Sequence, residues 1–295
     1  MATRTWQTAW NCFREARPVV QCAFLLRYLA GALLGGPGGS LHPGRIALGA
    51  FGWFLATTAI YLFNGVADLP EDIRNGSTRP IADGRLAVET ALASTGLLAA
   101  AGLVCSFALG FASGALAMVY VILGYAYSGP PFPLKKTYWS CTVTGLAGGM
   151  ITYLAGFLAG GHRPDSSLLV FAGMMTLWMG GVGAVAKEFP DIEGDRSAGR
   201  RTWPIVFGVP RATRLLRLLA AGVVLVFGTL VELYTTRLLW CVVTVLVGAI
   251  AIGVTSKGLT RGESAARRRP YIAFMWTQHA THLVLGITVL ATPLG

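Results

Sequence analysis

The sequence predicts an all-α, polytopic membrane protein, and three observations carry that reading. Only 13% of its 295 residues are charged and 54% are hydrophobic, whereas a soluble domain has about a quarter of its residues charged. The mean hydropathy is +0.59. Charge-free stretches of about 20 residues, enough to cross a bilayer core of ~30 Å, recur along the chain. These figures exclude a soluble enzyme and a disordered protein. A net charge of +11 would suggest nucleic acid on a soluble protein. Here it reads as membrane topology, because basic residues gather on cytoplasmic loops, and no nucleic-acid partner is expected.

The spans follow in order. The segment before Pro18 carries Trp6 and Trp10 and is long for a signal peptide. The first span is expected at 18–35, with Arg27 inside it, and the second at 46–67. Residues 90–134 hold no charge at all, which gives two helices with a Gly-rich turn near 110–114. Spans at 137–162, 166–186, 212–236, 238–256 and 270–295 complete nine. They read as two four-helix halves plus one helix around a central cavity, in a single integral membrane domain over 1–295. The polar stretches 68–89 and 187–217 are too short to fold alone and cap the bundle. With the N-terminus in the cytoplasm, 20 of the 24 Lys and Arg fall on that side. Arg45, Arg163 and Arg237 fall on the other, where the C-terminus also lies, as the positive-inside rule requires. The Ala-, Gly- and Arg-rich composition points to a bacterial cytoplasmic membrane. The five cysteines form no C-x-x-C pair, so neither a disulfide framework nor a zinc site is expected.

Seven of the 13 acids lie in two nine-residue windows, 64–72 and 187–195. Each window ends a span on the cytoplasmic side. Each contains Asp-x-x-x-Asp: Asp68 and Asp72, then Asp191 and Asp195. Residues i and i+4 share a helix face, with Asn64 and Lys187 one turn earlier, although Pro70 and Pro190 can unwind the spans locally. Acids at a membrane edge are costly and usually functional. Paired carboxylates are hard oxygen ligands suited to Mg²⁺, whose remaining positions go to water and phosphate. Similar text follows both windows: Pro80-Ile81-x-x-Gly84 and Pro204-Ile205-x-x-Gly208. This internal symmetry predicts one acidic motif per half, facing a shared cavity. Arg74, Arg79, Lys135, Lys136, Arg196, Arg200 and Arg201 share that layer and suit the outer oxygens of a metal-bound diphosphate.

These residues resemble the UbiA superfamily of intramembrane prenyltransferases. The resemblance rests on N-x-x-x-D-x-x-x-D at Asn64, Asp68 and Asp72 and D-x-x-x-D at Asp191 and Asp195. It also rests on Arg79-Pro80-Ile81 with Gly84, and on Tyr127-Ser128-Gly-Pro-Pro-Phe-Pro-Leu-Lys135-Lys136. The stretch from Pro190 to Arg196, running on to Phe207-Gly208, is similar to the homogentisate prenyltransferase branch. Three departures stand out: Gly65 where members often have Asp, Pro70 inside the first motif, and Glu188 where several relatives carry Asp.

The resemblance implies nine helices and Mg²⁺-dependent transfer of an isoprenyl group from its diphosphate, geranyl for example. The implied acceptor is aromatic, such as 4-hydroxybenzoate or a homogentisate-like phenol. Asn64, Asp68, Asp72, Asp191 and Asp195 would hold the Mg²⁺–diphosphate, with two ions as bridge. Arg74, Arg79, Lys135, Lys136, Lys187 and Arg196 would serve the phosphate end, and Asp191 would orient or deprotonate a phenol. Arg27 reads either as a partner for an acceptor carboxylate or the diphosphate, or as a packing residue. Tyr120, Tyr125, Tyr127, Tyr153 and Trp178 read either as a prenyl or cation pocket or as packing and interface anchors. His279 and His282, alone in the last span, do not read as a metal site. No obligate protein partner is inferred. A terpene cyclase, a prenyltransferase for a non-phenolic acceptor, and a transporter remain as alternatives.

Overall fold

The computed structural model describes residues 2–34, 42–74, 76–161, 165–261 and 264–291. Gly35, His162, Arg163 and Gly295, used above for span ends and loop charge, lie outside them. Every regular element among the described residues is helical. The principal helices are α1 (Ala2–Glu15), α2 (Pro18–Leu33), α3 (Pro43–Ala67), α4 (Leu69–Arg74), α5 (Val88–Ala108), α6 (Phe111–Ser128) and α7 (Tyr138–Gly160). They continue with α8 (Ser166–Ala186), α9 (Ile192–Ser197), α10 (Trp203–Phe207), α11 (Val209–Tyr234), α12 (Leu239–Thr255) and α13 (Arg269–Ala291).

Local chemistry sets the boundaries. Pro18 and Pro43 open α2 and α3, where a missing N–H costs nothing. The charge-free stretch 90–134 breaks at Gly110, whose φ of 128° suits only glycine. Asp165 caps α8, its carboxylate accepting the Leu168 N–H at 3.0 Å. Midway, α8 widens into a π-helical turn over Trp178–Gly183, a feature that tends to mark functional sites.

Among the described residues, seven helices are long and apolar enough to cross a membrane: Pro43–Ala67, Val88–Ala108, Phe111–Ser128, Tyr138–Gly160, Ser166–Ala186, Val209–Tyr234 and Thr236–Leu259. The expectation of nine adds α2 and α13. The first has only 16 residues, and the second carries Gln278, His279 and His282 in its middle. Both pack into the bundle as full members. Large apolar side chains such as Phe111, Leu97 and Leu290 point outward with over 70% of their surface exposed, which in water would be an aggregation surface and in lipid is the natural boundary.

The helices close a ring. α2 packs on α3, α7 and α13; α3 on α5 and α6; α7 on α6 and α8; α11 joins α8 to α12; and α12 returns to α13. The two larger of three apolar clusters among the described residues follow the two halves. One gathers Phe24, Tyr28, Trp53 and Tyr120; the other gathers Phe171, Trp178, Leu216 and Phe227. The seam between them is α2 against α7, crossing at Gly31 and Gly156. A Cβ on Gly156 would meet the Tyr28 carbonyl oxygen at 1.9 Å, and one on Gly31 the Tyr153 carbonyl oxygen at 2.1 Å. Small residues allow such close approach in lipid. Gly156→Leu is therefore expected to part the halves and lower the detergent-solubilised melting temperature by about 5 °C, corresponding to a core overpacking cost of ~3 kcal/mol. Gly173→Leu, with open space at its Cβ, is the matched control.

Candidate active site

The first acidic motif begins where α3 ends. Asp68 is the C-cap residue, and α4 starts immediately after it. The local break anticipated at Pro70 is there, yet the Asp72 N–H still donates to the Asp68 carbonyl at 2.9 Å. One turn up, the Asn64 Nδ2 donates to the Ser128 hydroxyl at 2.7 Å. That leaves the Asn64 amide oxygen as its free coordinating atom. The second motif is built the same way. The chain leaves α8, turns through Lys187–Pro190, and Asp191 becomes the N-cap position of α9. The Asp195 N–H donates to the Asp191 carbonyl at 2.8 Å. The repeat extends to Gly84 and Gly208, with φ of 74° and 76°.

Arg200 joins the two motifs. Its guanidinium contacts Asp68 at 2.8 Å, Asp195 at 3.3 Å and the Glu71 carboxylate. Lys135, nearly buried, forms a second ion pair with Asp68. A parallel bridge between Thr137 and Arg201, with the Arg201 N–H donating to the Lys136 carbonyl at 2.8 Å, holds the two cationic loops together over Asp68. Burial pushes the Asp68 carboxyl up, but Lys135 and Arg200 outweigh it, so its pKa lies below the usual carboxylate value. For Asp195, burial dominates over Arg200, and the pKa rises to about 6.

Arg79 is engaged differently from the expectation. It clamps Asp72 at 2.7 Å and Glu15 at 2.6 Å, so it buttresses the motif from behind. Glu15 is fully buried and also accepts the Ile81 N–H at 2.9 Å. This explains Gly65: a Cβ there would meet the Glu15 carboxylate at 2.2 Å. A carboxylate from α1 thus fills the space beside Gly65. Glu188, the third departure, is also structural. Its carboxylate accepts the Trp203 N–H at 2.7 Å and ties the second motif to α10.

Burial raises the Glu188 pKa to about 7, against the lowering pull of Lys187 and the Trp203 N–H. A carboxyl whose folded pKa is raised binds more protons folded than unfolded, so its contribution is full below the unfolded value and is lost as pH rises through about 7. The metal-free protein is expected to lose on the order of 2 kcal/mol between pH 5 and 8 from this group. Glu188→Gln, which keeps the acceptor, should flatten that slope in thermal melts.

Behind the motifs lies a cavity of ≈ 210 Å³. Asn64, Lys187 and Arg17 line its mouth; Tyr61, Tyr120, Tyr127, Tyr271, Phe24 and Phe274 line its walls; and Arg27 lies deeper along α2. The π-turn of α8 contributes Met179, Gly180 and Gly183 to the wall. Lys187 donates to the Tyr127 hydroxyl at 3.0 Å and to the Cys141 sulfur at 3.1 Å.

The structure therefore brings together Asn64, Asp68, Asp195, Lys135, Lys187, Tyr127 and Arg27, with Asp72 just behind. Asp191 is exposed at the rim. Arg74 is also exposed and reaches across to the Ser197 carbonyl at 3.5 Å. Lys136 and Arg196 face outward. Among the expected aromatics, Tyr120 and Tyr127 line the cavity, whereas Tyr125 stacks on Phe63 at the periphery and Tyr153 and Trp178 are fully buried in the core. Arg200, one of the cations expected in this layer, is central, and Arg17, Glu71, Tyr61 and Tyr271 join the site without any spacing signal in the sequence.

The residues fit a hard divalent cation. The donors are hard oxygens, the type Mg²⁺ takes, and Asp68 and Asp195, with Glu71, converge on one positive group, Arg200; among the described residues no three acids form a metal-binding group by themselves, so a diphosphate would complete the shell.

Comparison with known proteins agrees with this architecture. Residues 24–278 match the model of the UbiA prenyltransferase family. A UbiA homologue from Archaeoglobus fulgidus, solved bound to GPP and Mg²⁺, superposes with a TM-score of 0.71 at 22% identity, covering 93% of this chain and 99% of that one. A digeranylgeranylglyceryl phosphate synthase from Methanosphaera stadtmanae is 26% identical over 171 residues, 58% of this chain and 61% of the relative. A 2-acyl-4-prenylphloroglucinol 6-prenyltransferase from Humulus lupulus is 26% identical over 217 residues, 68% of this chain and 52% of the relative. The alignments thus span between half and two thirds of these two relatives.

Proposed function

Because this chain belongs to the UbiA prenyltransferase family, we propose that it transfers an isoprenyl group from its diphosphate to a compact aromatic acceptor. The observation that carries the reading is the convergence of both acidic motifs, through Arg200, on the mouth of one aromatic-walled cavity.

Asn64, Asp68, Asp72, Asp191 and Asp195 would hold two Mg²⁺ ions on the donor diphosphate. The ions would supply Lewis-acid stabilisation of the leaving group. Lys135, Arg200 and Arg17 stand where they can pair with phosphate oxygens, and Arg74, Lys136 and Arg196 can reach in from the rim. Arg79 acts through Asp72 and Glu15 rather than on phosphate. The C–O bond breaks with its electron pair leaving on the diphosphate. The allylic carbon gains positive character beside Tyr61, Tyr120 and Tyr127, whose faces favour it. The apolar walls keep water from competing with the acceptor. An electron-rich ring carbon attacks, a C–C bond forms, and the ring proton leaves to solvent or to Asp191, which has no ion pair among the described residues. The basic-residue asymmetry supports a cytoplasmic mouth and N-terminus, and the Ala-, Gly- and Arg-rich composition supports a bacterial cytoplasmic membrane.

A second reading, transfer to a glyceryl phosphate lipid, draws support from relatives named digeranylgeranylglyceryl phosphate synthase. Purified protein with Mg²⁺ and geranyl diphosphate, offered either a panel of phenols or geranylgeranylglyceryl phosphate, separates the two by mass spectrometry. A prenylated phenol supports the first reading, and a prenylated lipid the second.

A further inference from the structure

Each half of the chain fastens its acidic motif with a buried carboxylate, but the two carboxylates come from different places. In the second half, Glu188 follows Lys187 within the window itself. Its carboxylate accepts the N–H of Trp203, the residue before Pro204, at 2.7 Å. The matching position in the first half is Gly65, which follows Asn64 and has no side chain to offer. The carboxylate beside it belongs to Glu15 of α1, and it serves the matching loop. Its Oε2 accepts the N–H of Ile81, the residue after Pro80, at 2.9 Å. Its Oε1 lies 2.6 Å from Nη2 of Arg79, the residue before Pro80. The Glu15 backbone carbonyl accepts from the same nitrogen at 3.0 Å. The first half is thus completed by a helix that stands outside both repeats.

Arg79 passes this contact on to the motif, because its Nη1 donates to Asp72 Oδ2 at 2.7 Å. The Arg79 and Asp72 side chains are mostly buried and Glu15 is fully buried, so water screens these charges little. Arg79 and Asp72 alone would make a neutral pair, with the aspartate's charge cancelled. With Glu15 on the other edge of the guanidinium, the three groups carry one net negative charge, and Asp72 keeps its attraction for a cation. Docking of α1 does not require this carboxylate. The helix is already held by Cys12 in the apolar cluster with Leu62, Ile81, Leu86 and Ala91, and by Asn11 Nδ2 donating to the Arg85 carbonyl at 2.9 Å. Adding a buried charge to such a contact carries a desolvation penalty.

We propose that Glu15 is a positioning residue for the first acidic motif. Its carboxylate fills from α1 the place that Glu188 fills in the second half. There it orients Arg79 and offsets its charge, so that Asp72 stays available to the metal–diphosphate. The inference rests on the reading of this motif as metal-binding. It makes α1 part of the catalytic unit, and it makes Gly65 the counterpart of Glu15, the residue whose missing side chain leaves room for the incoming carboxylate.

The test reads metal binding without turnover. Full-length protein in detergent is titrated with Mn²⁺ in the presence of inorganic diphosphate, and bound metal is followed by electron paramagnetic resonance. Glu15→Gln, which keeps an acceptor for the Ile81 N–H and removes the charge, should weaken Mn²⁺ binding about tenfold. Asn11→Ala, which cuts the other polar tie of α1, should lower the melting temperature and leave Mn²⁺ affinity unchanged. The decisive variant moves the carboxylate. Gly65→Glu alone forces a second carboxylate into the space of Glu15 and should be destabilised, and Glu15→Ala alone should bind Mn²⁺ weakly. The two together reproduce the arrangement of the second half and should return Mn²⁺ affinity to within about threefold of wild type. Should Glu15→Gln fail to fold, this double variant still decides. Unchanged affinity in Glu15→Gln, equal weakening in Asn11→Ala, or a double variant that does not fold or binds no better than Glu15→Ala overturns the proposal. Asp68→Asn separates it from the proposed function. Mn²⁺ binding indifferent to that substitution strikes the metal-binding reading of the motif and the inference with it, whereas binding that needs Asp68 but not Glu15 strikes the inference alone.

Discussion

Asp191→Asn and Asp68→Asn are each expected to reduce prenyl transfer by about a thousand-fold, roughly 4 kcal/mol of lost transition-state stabilisation. The two differ in what else they change, and that makes them informative together. Asp191 is exposed and makes no ion pair among the described residues, so its variant should melt like wild type. Asp68 neutralises Lys135 and part of Arg200. Its variant leaves two cations short of a partner and should melt lower. Equal loss of activity with unequal loss of stability would mark both as ligands of the same metal–diphosphate complex. Activity within tenfold of wild type in Asp191→Asn would remove the second motif from the reaction.

Arg200→Leu should have the next largest effect, on stability and on metal affinity in opposite directions. Without Arg200, Glu71 and Asp195 lose their ion pairs and Asp68 keeps only Lys135. The site is partly open to water, so the cost is discounted to on the order of 2 kcal/mol in the absence of metal. The same substitution removes the positive group that competes with Mg²⁺ for those carboxylates. Millimolar Mg²⁺ should therefore raise the melting temperature of the variant more than that of the wild type, by the linkage between binding and folding. An unchanged response to Mg²⁺ would mean that Arg200 and the metal do not share carboxylates.

Much of the site was readable because cost leaves a trace in sequence. Charge is rare in this chain, so seven acids in two short windows stood out, and the matching Pro-Ile-x-x-Gly segments tied the windows into a repeat. The helix start at Pro18 and the break at Gly110 followed from the sequence, whereas α3 begins at Pro43, three residues before the expected 46. What stayed hidden depended on where loops turn. Arg196, Arg200 and Arg201 are equivalent on paper, and only the reversal after α9, with Gly199 at a φ of 69°, turns Arg200 inward and Arg196 out. Glu15 reaches Arg79 across more than 60 positions, beyond any spacing rule. Tyr61 and Tyr271 near helix ends look like interface anchors until the bundle closes around them. Arg17 adopts a φ of 58°, rare for a side-chain-bearing residue, and that conformation has no signature beyond the proline that follows it.

The central claim is that the two halves of the chain jointly hold one metal–diphosphate complex. Anomalous scattering from crystals grown with Mn²⁺ in place of Mg²⁺ and a thiolo analogue of geranyl diphosphate tests it most directly. Metal peaks coordinated by Asp68 or Asp72 on one side and by Asp191 or Asp195 on the other, bridged by the analogue's phosphates, are the predicted result. Metal confined to one motif, or an analogue bound with neither motif in contact, would contradict it.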